Sequence, residues 1–138
     1  MLEVRDLQVH YGIVEAVKGV SFTLQAGEMI SLIGANGAGK STILRALTGL
    51  VQPSAGSITF EQTSLCGLSP NQIIRLGIGH VPEGRRLFPK MTVLENLRMG
   101  AYLQRSKSDV VATLDNIYTH FPILKERGKQ RAGSLSGG

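Results

Sequence analysis

Residues 34–42 read GANGAGKST: a glycine, four residues, a second glycine, a lysine, then serine and threonine. These types at this spacing suit the binding of a polyphosphate. Gly34, Gly37 and Gly39 let the backbone curl until successive N–H groups converge on phosphate oxygens, where a β-carbon would block or strain the loop. A helix beginning near Lys40 would aim its positive end at the same oxygens. Lys40 would bridge the β and γ phosphates as a point charge. The Ser41 hydroxyl would complete a magnesium coordination sphere, and Thr42 adds a hydroxyl toward the phosphates. With Ala35, Asn36 and Ala38 between the glycines, all nine residues are candidates for a nucleotide site. The alternative is a glycine-rich turn that only caps a helix, and the full motif in its context argues against that.

That context is a short apolar strand in front and a helix behind. MISLIG, residues 29–34, follows the turn signal QAGE and reads as a strand buried on both faces. STILRALTGL, 41–50, places Ile43, Leu44, Leu47 and Leu50 at helical spacing. Upstream, LEVRDLQVHY alternates Leu2, Val4 and then Leu7, Val9, with a slip at Asp6 that predicts a bend. With AVKGVSFTL it predicts an antiparallel opening pair. Downstream, GSITF predicts a strand, SPNQIIRL a helix capped by Ser69 with Pro70 first, and GIGHVPE a return to strand. From Thr92 the pattern is helical. Glu95 lies three residues after Thr92, a capping-box arrangement, and SDVVATLDNIYTHF sets Val111, Leu114, Tyr118 and Phe121 on one predicted stripe. There is no internal repeat or low-complexity segment. The division is a nucleotide-binding core over 1–84 and a partial helical region over 85–138.

At 138 residues, 42% hydrophobic and 18% charged, the chain is globular in composition and sized for one core. Aromatics are 5% with no Trp, so that core must be aliphatic, which leans toward α/β. The single cysteine, Cys66, excludes an internal disulfide framework and points to a reducing compartment. No secretory signal and no window of membrane-spanning length is evident. Charge is uneven. Residues 1–83 carry five Lys/Arg against six Asp/Glu, whereas 84–138 carry ten against four. A basic half faces either solvent or something anionic, such as nucleic acid or a membrane surface; without interleaved aromatics the solvated face is the simpler reading.

No Asn-Lys-x-Asp run for reading guanine is present, which disfavours GTP. Instead GANGAGKST, Tyr11 upstream, VPEGRRLFPKMTVLENL at 81–97 and LSGG at 135–138 together resemble the ATP-binding subunits of ABC transporters over essentially the whole chain. The resemblance implies an α/β phosphate-loop (ABC ATPase) fold, represented by its N-terminal part with an antiparallel β region and the start of a helical subdomain. It implies that Tyr11 stacks on adenine, a role a tyrosine ring suits physically. It also implies that Leu135, Ser136, Gly137 and Gly138 form the signature motif. At a helix N-terminus, this motif would bind the γ-phosphate of ATP held by a second ATPase subunit. On this reading the chain ends at the signature, and the latter part of the domain is not among these residues.

The resemblance further calls for an Asp for the magnesium shell, a following Glu to polarise water, and a later His at the γ-phosphate. Asp115 is followed by Asn116 and sits on a helical pattern, and His10, His80 and His120 all precede LSGG. These residues therefore carry binding chemistry and no catalytic residue, and the chain alone is expected to be inactive. Most relatives have Gln where this chain has Glu83. A carboxylate there remains a hard-oxygen candidate for magnesium but adds charge near the phosphate. VPEGRRLFPKMTVLENL is similar to one ATPase subunit of branched-chain amino acid importers, with urea or amide importers as competitors. The implied whole is an ATPase using ATP and Mg2+. It would pair with a second ATPase subunit and transmembrane permease subunits, peripheral on the cytoplasmic face of the cell membrane, with no nucleic acid. A nucleotide-binding module without turnover and an ABC ATPase of a non-transport system are the other readings.

Overall fold

The break in alternation at Asp6 organises the first sheet. In a computed structural model that describes residues 1–84, 86–104 and 106–135, strand β1 (Leu2–Tyr11) pairs antiparallel with β2 (Val14–Leu24), as the sequence predicts. Val4 faces Phe22, Leu7 faces Val20 and Val9 faces Val17, with a register shift between Val4 and Leu7. That shift moves the inward set from even to odd positions, so Val4, Leu7 and Val9 are all buried. The extra residue is Asp6, at φ 46°. Its N–H donates to Ser21 Oγ at 2.8 Å, and that hydroxyl donates back to Asp6 Oδ1 at 3.2 Å. Gly56 lies against the Asp6 carbonyl, where a β-carbon would collide.

β3 (Ala55–Phe60) pairs with the other edge of β1, and β4 (Thr63–Ser64) closes the order β2-β1-β3-β4. Helices α1 (Lys40–Leu47) and α2 (Pro70–Arg75) set Ile43, Ala46 and Ile73 into one aliphatic cluster with Val4, Leu7, Val9, Val17, Ile58 and Leu65. Ser69 caps α2 as expected, its N–H and hydroxyl both donating to Gln72 Oε1.

Two expected strands are not strands. MISLIG and GIGHVPE form no sheet pairing, and Met29, Ile33 and Val81 are more than 90% exposed. An apolar run becomes a strand only when a neighbouring strand takes its N–H and C=O groups. Here each run keeps one foot in the core, Leu32 and Ile78 packing against the aliphatic cluster.

The chain packs as two units, Met1–Val81 and Pro82–Gly138. The second is helical: α3 (Val93–Gly100), α4 (Lys107–His120) and α5 (Pro122–Glu126), followed by a 3-10 turn at Ala132–Ser134. Thr92 and Glu95 form the predicted box. Glu95 N–H donates to Thr92 Oγ1, and the Thr92 N–H and hydroxyl donate to Glu95 Oε2 at 2.7 and 2.8 Å. These bonds, with Arg98 nearby, hold the Glu95 carboxyl below its ordinary pKa. The predicted stripe on α4 is corrected: Val111 and Phe121 are exposed, and the partly buried positions are Val110, Leu114, Ile117 and Tyr118. Val110, Leu114 and Ile117 line a groove with Leu97 and Gly100 of α3 and with Ala101 just after it.

Candidate nucleotide site

The phosphate loop is held from behind by β2. Gly39 caps α1 with φ 91°, and a β-carbon there would stand 2.5 Å from the Ala16 carbonyl oxygen and 3.2 Å from Val17 Cγ2. Only glycine meets both requirements, a left-handed backbone and a close approach. Ala16 and Val17 are therefore part of the site's construction. Sequence reasoning missed them, because that contact joins residues more than twenty positions apart.

From Gly39 the chain enters α1 at Lys40, with no acidic residue in the first turn to compete for an anion. Among the described residues no acceptor is hydrogen-bonded to the N–H groups of Gly37, Gly39, Lys40 or Ser41. They are the orphan donors of a helix start and its lead-in loop. Gly34, Ala35, Asn36, Gly37 and Ala38 are exposed, as is Ser41, while Lys40 and Thr42 are half-buried. The Lys40 ammonium folds back over the loop, Nζ donating to the Gly34 carbonyl at 2.8 Å and the Ala35 carbonyl at 2.7 Å. An Ala38 N–H to Ala35 carbonyl bond closes the turn beneath it. The result is a run of free backbone donors with a cation over the loop, the kinds of group that take phosphate oxygens.

Tyr11 ends β1 and faces Val14 across the turn at Gly12 and Ile13. Its ring is 44% exposed. Ala16, the backstop of the loop, lies two residues beyond Val14, or ~7 Å along the strand. The β1–β2 hairpin thus carries an exposed aromatic at its tip and the phosphate loop on its flank.

Glu83 is exposed in the second unit, its carbonyl accepting from Arg86 Nε at 3.3 Å. Leu135 is half-buried there, and the remaining signature residues Ser136, Gly137 and Gly138 lie outside the described residues. Asp115 and Asn116 are exposed positions of α4, as the helical pattern predicts. His10 shares a 2.8 Å hydrogen bond with Ser54 Oγ, and His120 bonds the Asn116 carbonyl on its own helix. Among the described residues no three His, Cys, Asp or Glu gather as a metal site. No helix is long and apolar enough to cross a membrane.

A glycine loop flanked by β2, an orphan-donor helix start and a lysine over both define the phosphate-loop class of fold. A sequence model of the family described as "ABC transporter" matches residues 17–138. The chain belongs to that family. It is 46% identical over all 138 residues to the "High-affinity branched-chain amino acid transport ATP-binding protein BraG" of Pseudomonas aeruginosa, covering 59% of that protein. It is 42% identical over 104 residues to the LivG protein of the same description from Salmonella typhimurium, 75% of this chain and 41% of that one. Among solved structures, the "Structure of ATP binding subunit of ABC transporter" superposes with a TM-score of 0.85 at 31% identity, covering 99% of this chain and 56% of the other. The match thus spans 41–59% of the length of these relatives. The fold is that of an ABC ATPase cassette.

Proposed function

We propose that this chain binds MgATP through residues 34–42 and Tyr11 as the energy-coupling subunit of an importer for branched-chain amino acids. The observation that carries the reading is the loop itself: orphan N–H groups and the Lys40 ammonium converge over a turn that Gly39 and Ala16 hold in place. The identity to BraG along the entire chain supports the substrate class.

Lys40 exchanges its carbonyl partners for phosphate oxygens when nucleotide enters, so the ammonium keeps its hydrogen bonds throughout. Tyr11 covers one face of the adenine. The exposed Ser41 hydroxyl at the start of α1 is a hard oxygen donor suited to magnesium. Magnesium there neutralises phosphate charge. In the whole protein two such subunits hydrolyse ATP together, with Leu135, Ser136, Gly137 and Gly138 reaching the partner's nucleotide. Exposed Leu87 and Phe88 suit a permease contact at the cytoplasmic face of the membrane. The 138 residues themselves contain no Asp-Glu pair, so by themselves they bind without turnover.

The test is equilibrium binding of ATP and of pyrophosphate, with phosphate release measured alongside. Lys40→Ala should weaken both ligands by about 10- to 100-fold, the value of a charge-assisted bond. Tyr11→Ala should weaken ATP alone, by roughly 1–3 kcal/mol of stacking. Equal ATP affinity in wild type and Lys40→Ala would sink the reading. Phosphate release that depends on Lys40 would overturn the claim of binding without turnover.

A further inference from the structure

The positive charge of the second unit gathers on a braced segment that the nucleotide site does not use. Residues 128–133 run beside 89–94, fastened by four backbone bonds. Leu94 N–H donates to Gly128 O, Val93 N–H to Gln130 O, Ala132 N–H to Met91 O and Gly133 N–H to Pro89 O, at 2.9–3.1 Å. Thr92 and Arg131 form a bridge pair within this ribbon. Ala132 is buried and Gln130 half-buried, whereas Lys129 and Arg131 are both exposed. Exposed Lys125 and Arg127 precede them, and exposed Lys90 lies on the neighbouring run.

Three carboxylates stand near these five cations. Glu95 is engaged by Thr92, while Asp115 and Glu126, both exposed, line one groove with Lys125. Among the described residues none of the five cations is in an ion pair, the described pair being Arg5–Glu3. Lys125 additionally lies 5.9 Å from the Tyr118 ring centre. Immediately ahead of the cations come Phe121 and Ile123, 59% and 46% exposed.

We propose that this ribbon and the start of α5 form a contact surface for an anionic lipid bilayer, with Lys125, Arg127, Lys129 and Arg131 on the headgroups and Phe121 and Ile123 at the acyl boundary. Charge complementarity selects an anionic partner. The apolar pair beside the cations favours a bilayer over a nucleic acid, which would call for a series of stacking aromatics. The contact is independent of the nucleotide reading and needs no bound ATP.

Vesicle co-sedimentation of the chain tests it, using phosphatidylglycerol–phosphatidylcholine vesicles against pure phosphatidylcholine. Binding should require the anionic lipid and fall steeply with added salt, a result that wild type alone supplies. Replacing the four cations by glutamine should lower partition by about 100-fold or more. Replacing them by glutamate should transfer binding to cationic vesicles. Phe121→Ser with Ile123→Ser should weaken binding while keeping its salt dependence. Equal binding to neutral and anionic vesicles, or binding undiminished by the glutamine replacements, would overturn the proposal. So would an absence of vesicle binding accompanied by tight binding to an RNA homopolymer.

Discussion

At Gly39 a single missing methyl group holds the site together. The residue's φ of 91° and the Ala16 carbonyl 2.5 Å from where a β-carbon would stand exclude any side chain without movement of β2 or the loop. Gly39→Ala should therefore cost both stability and nucleotide affinity. Left-handed strain of ~1–2 kcal/mol comes from the backbone, and the collision adds to it. Gly37, also at positive φ but with nothing within 4 Å of its absent side chain, supplies the control. Gly37→Ala should pay the strain alone. Thermal unfolding and ATP titration of the two variants separate the effects; equal losses at both positions would mean that the contact with β2 does not set the loop. The loop residues were legible in the sequence, because their spacing is local chemistry. The backstop was not, because a close approach between Ala16 and Gly39 leaves no trace in composition or period. Tyr11 enters the site only as what the family resemblance implies, since an exposed aromatic at a hairpin end is otherwise unremarked.

The helix starts, the β1–β2 pair and the strand over GSITF came through as read, whereas two runs expected to be buried strands did not. The helix starts at Ser69 and Thr92 follow from side chains reaching three residues along the chain, and the bend at Asp6 from a break in alternation. MISLIG and GIGHVPE carry the apolar content of buried strands, yet strand is a paired state, and pairing is not written in either segment. The stripe on α4 failed for a related reason: period fixes that a face exists, whereas the surrounding helices fix which one is covered. The Thr92–Glu95 box makes a measurable claim. Its bonds depress the Glu95 pKa in the folded state, so their stabilisation is complete above the ordinary carboxylate pKa and is lost as pH falls through the lowered one. Glu95→Gln keeps an acceptor for the Thr92 N–H but cannot titrate. Its unfolding midpoint should therefore fall less than that of wild type as pH drops into the acid range. Parallel acid limbs would show that the carboxylate does not contribute through its charge.

Across the whole chain, the placement of apolar surface decides how the molecule behaves in solution. The core is aliphatic as composition requires, but Met29, Ile33 and Val81 stand at 93%, 95% and 94% exposure on extended runs that make no sheet pairing. Three such side chains represent roughly 5 kcal/mol or more of unrealised burial, and unpaired extended backbone beside them offers hydrogen bonds to any strand that approaches. The 138-residue chain should accordingly self-associate at micromolar concentration and bind a hydrophobic dye. Met29→Lys together with Val81→Lys should raise the concentration for association at least about tenfold, since charge on an exposed edge opposes pairing. Because neither side chain is part of the aliphatic cluster, the monomer's unfolding midpoint should stay where it is. Sedimentation velocity across a concentration series, run with thermal unfolding of both proteins, reads the two effects separately. Association unchanged by the lysines would locate the sticky surface elsewhere, and a lowered unfolding midpoint would mean that these residues already stabilise the fold.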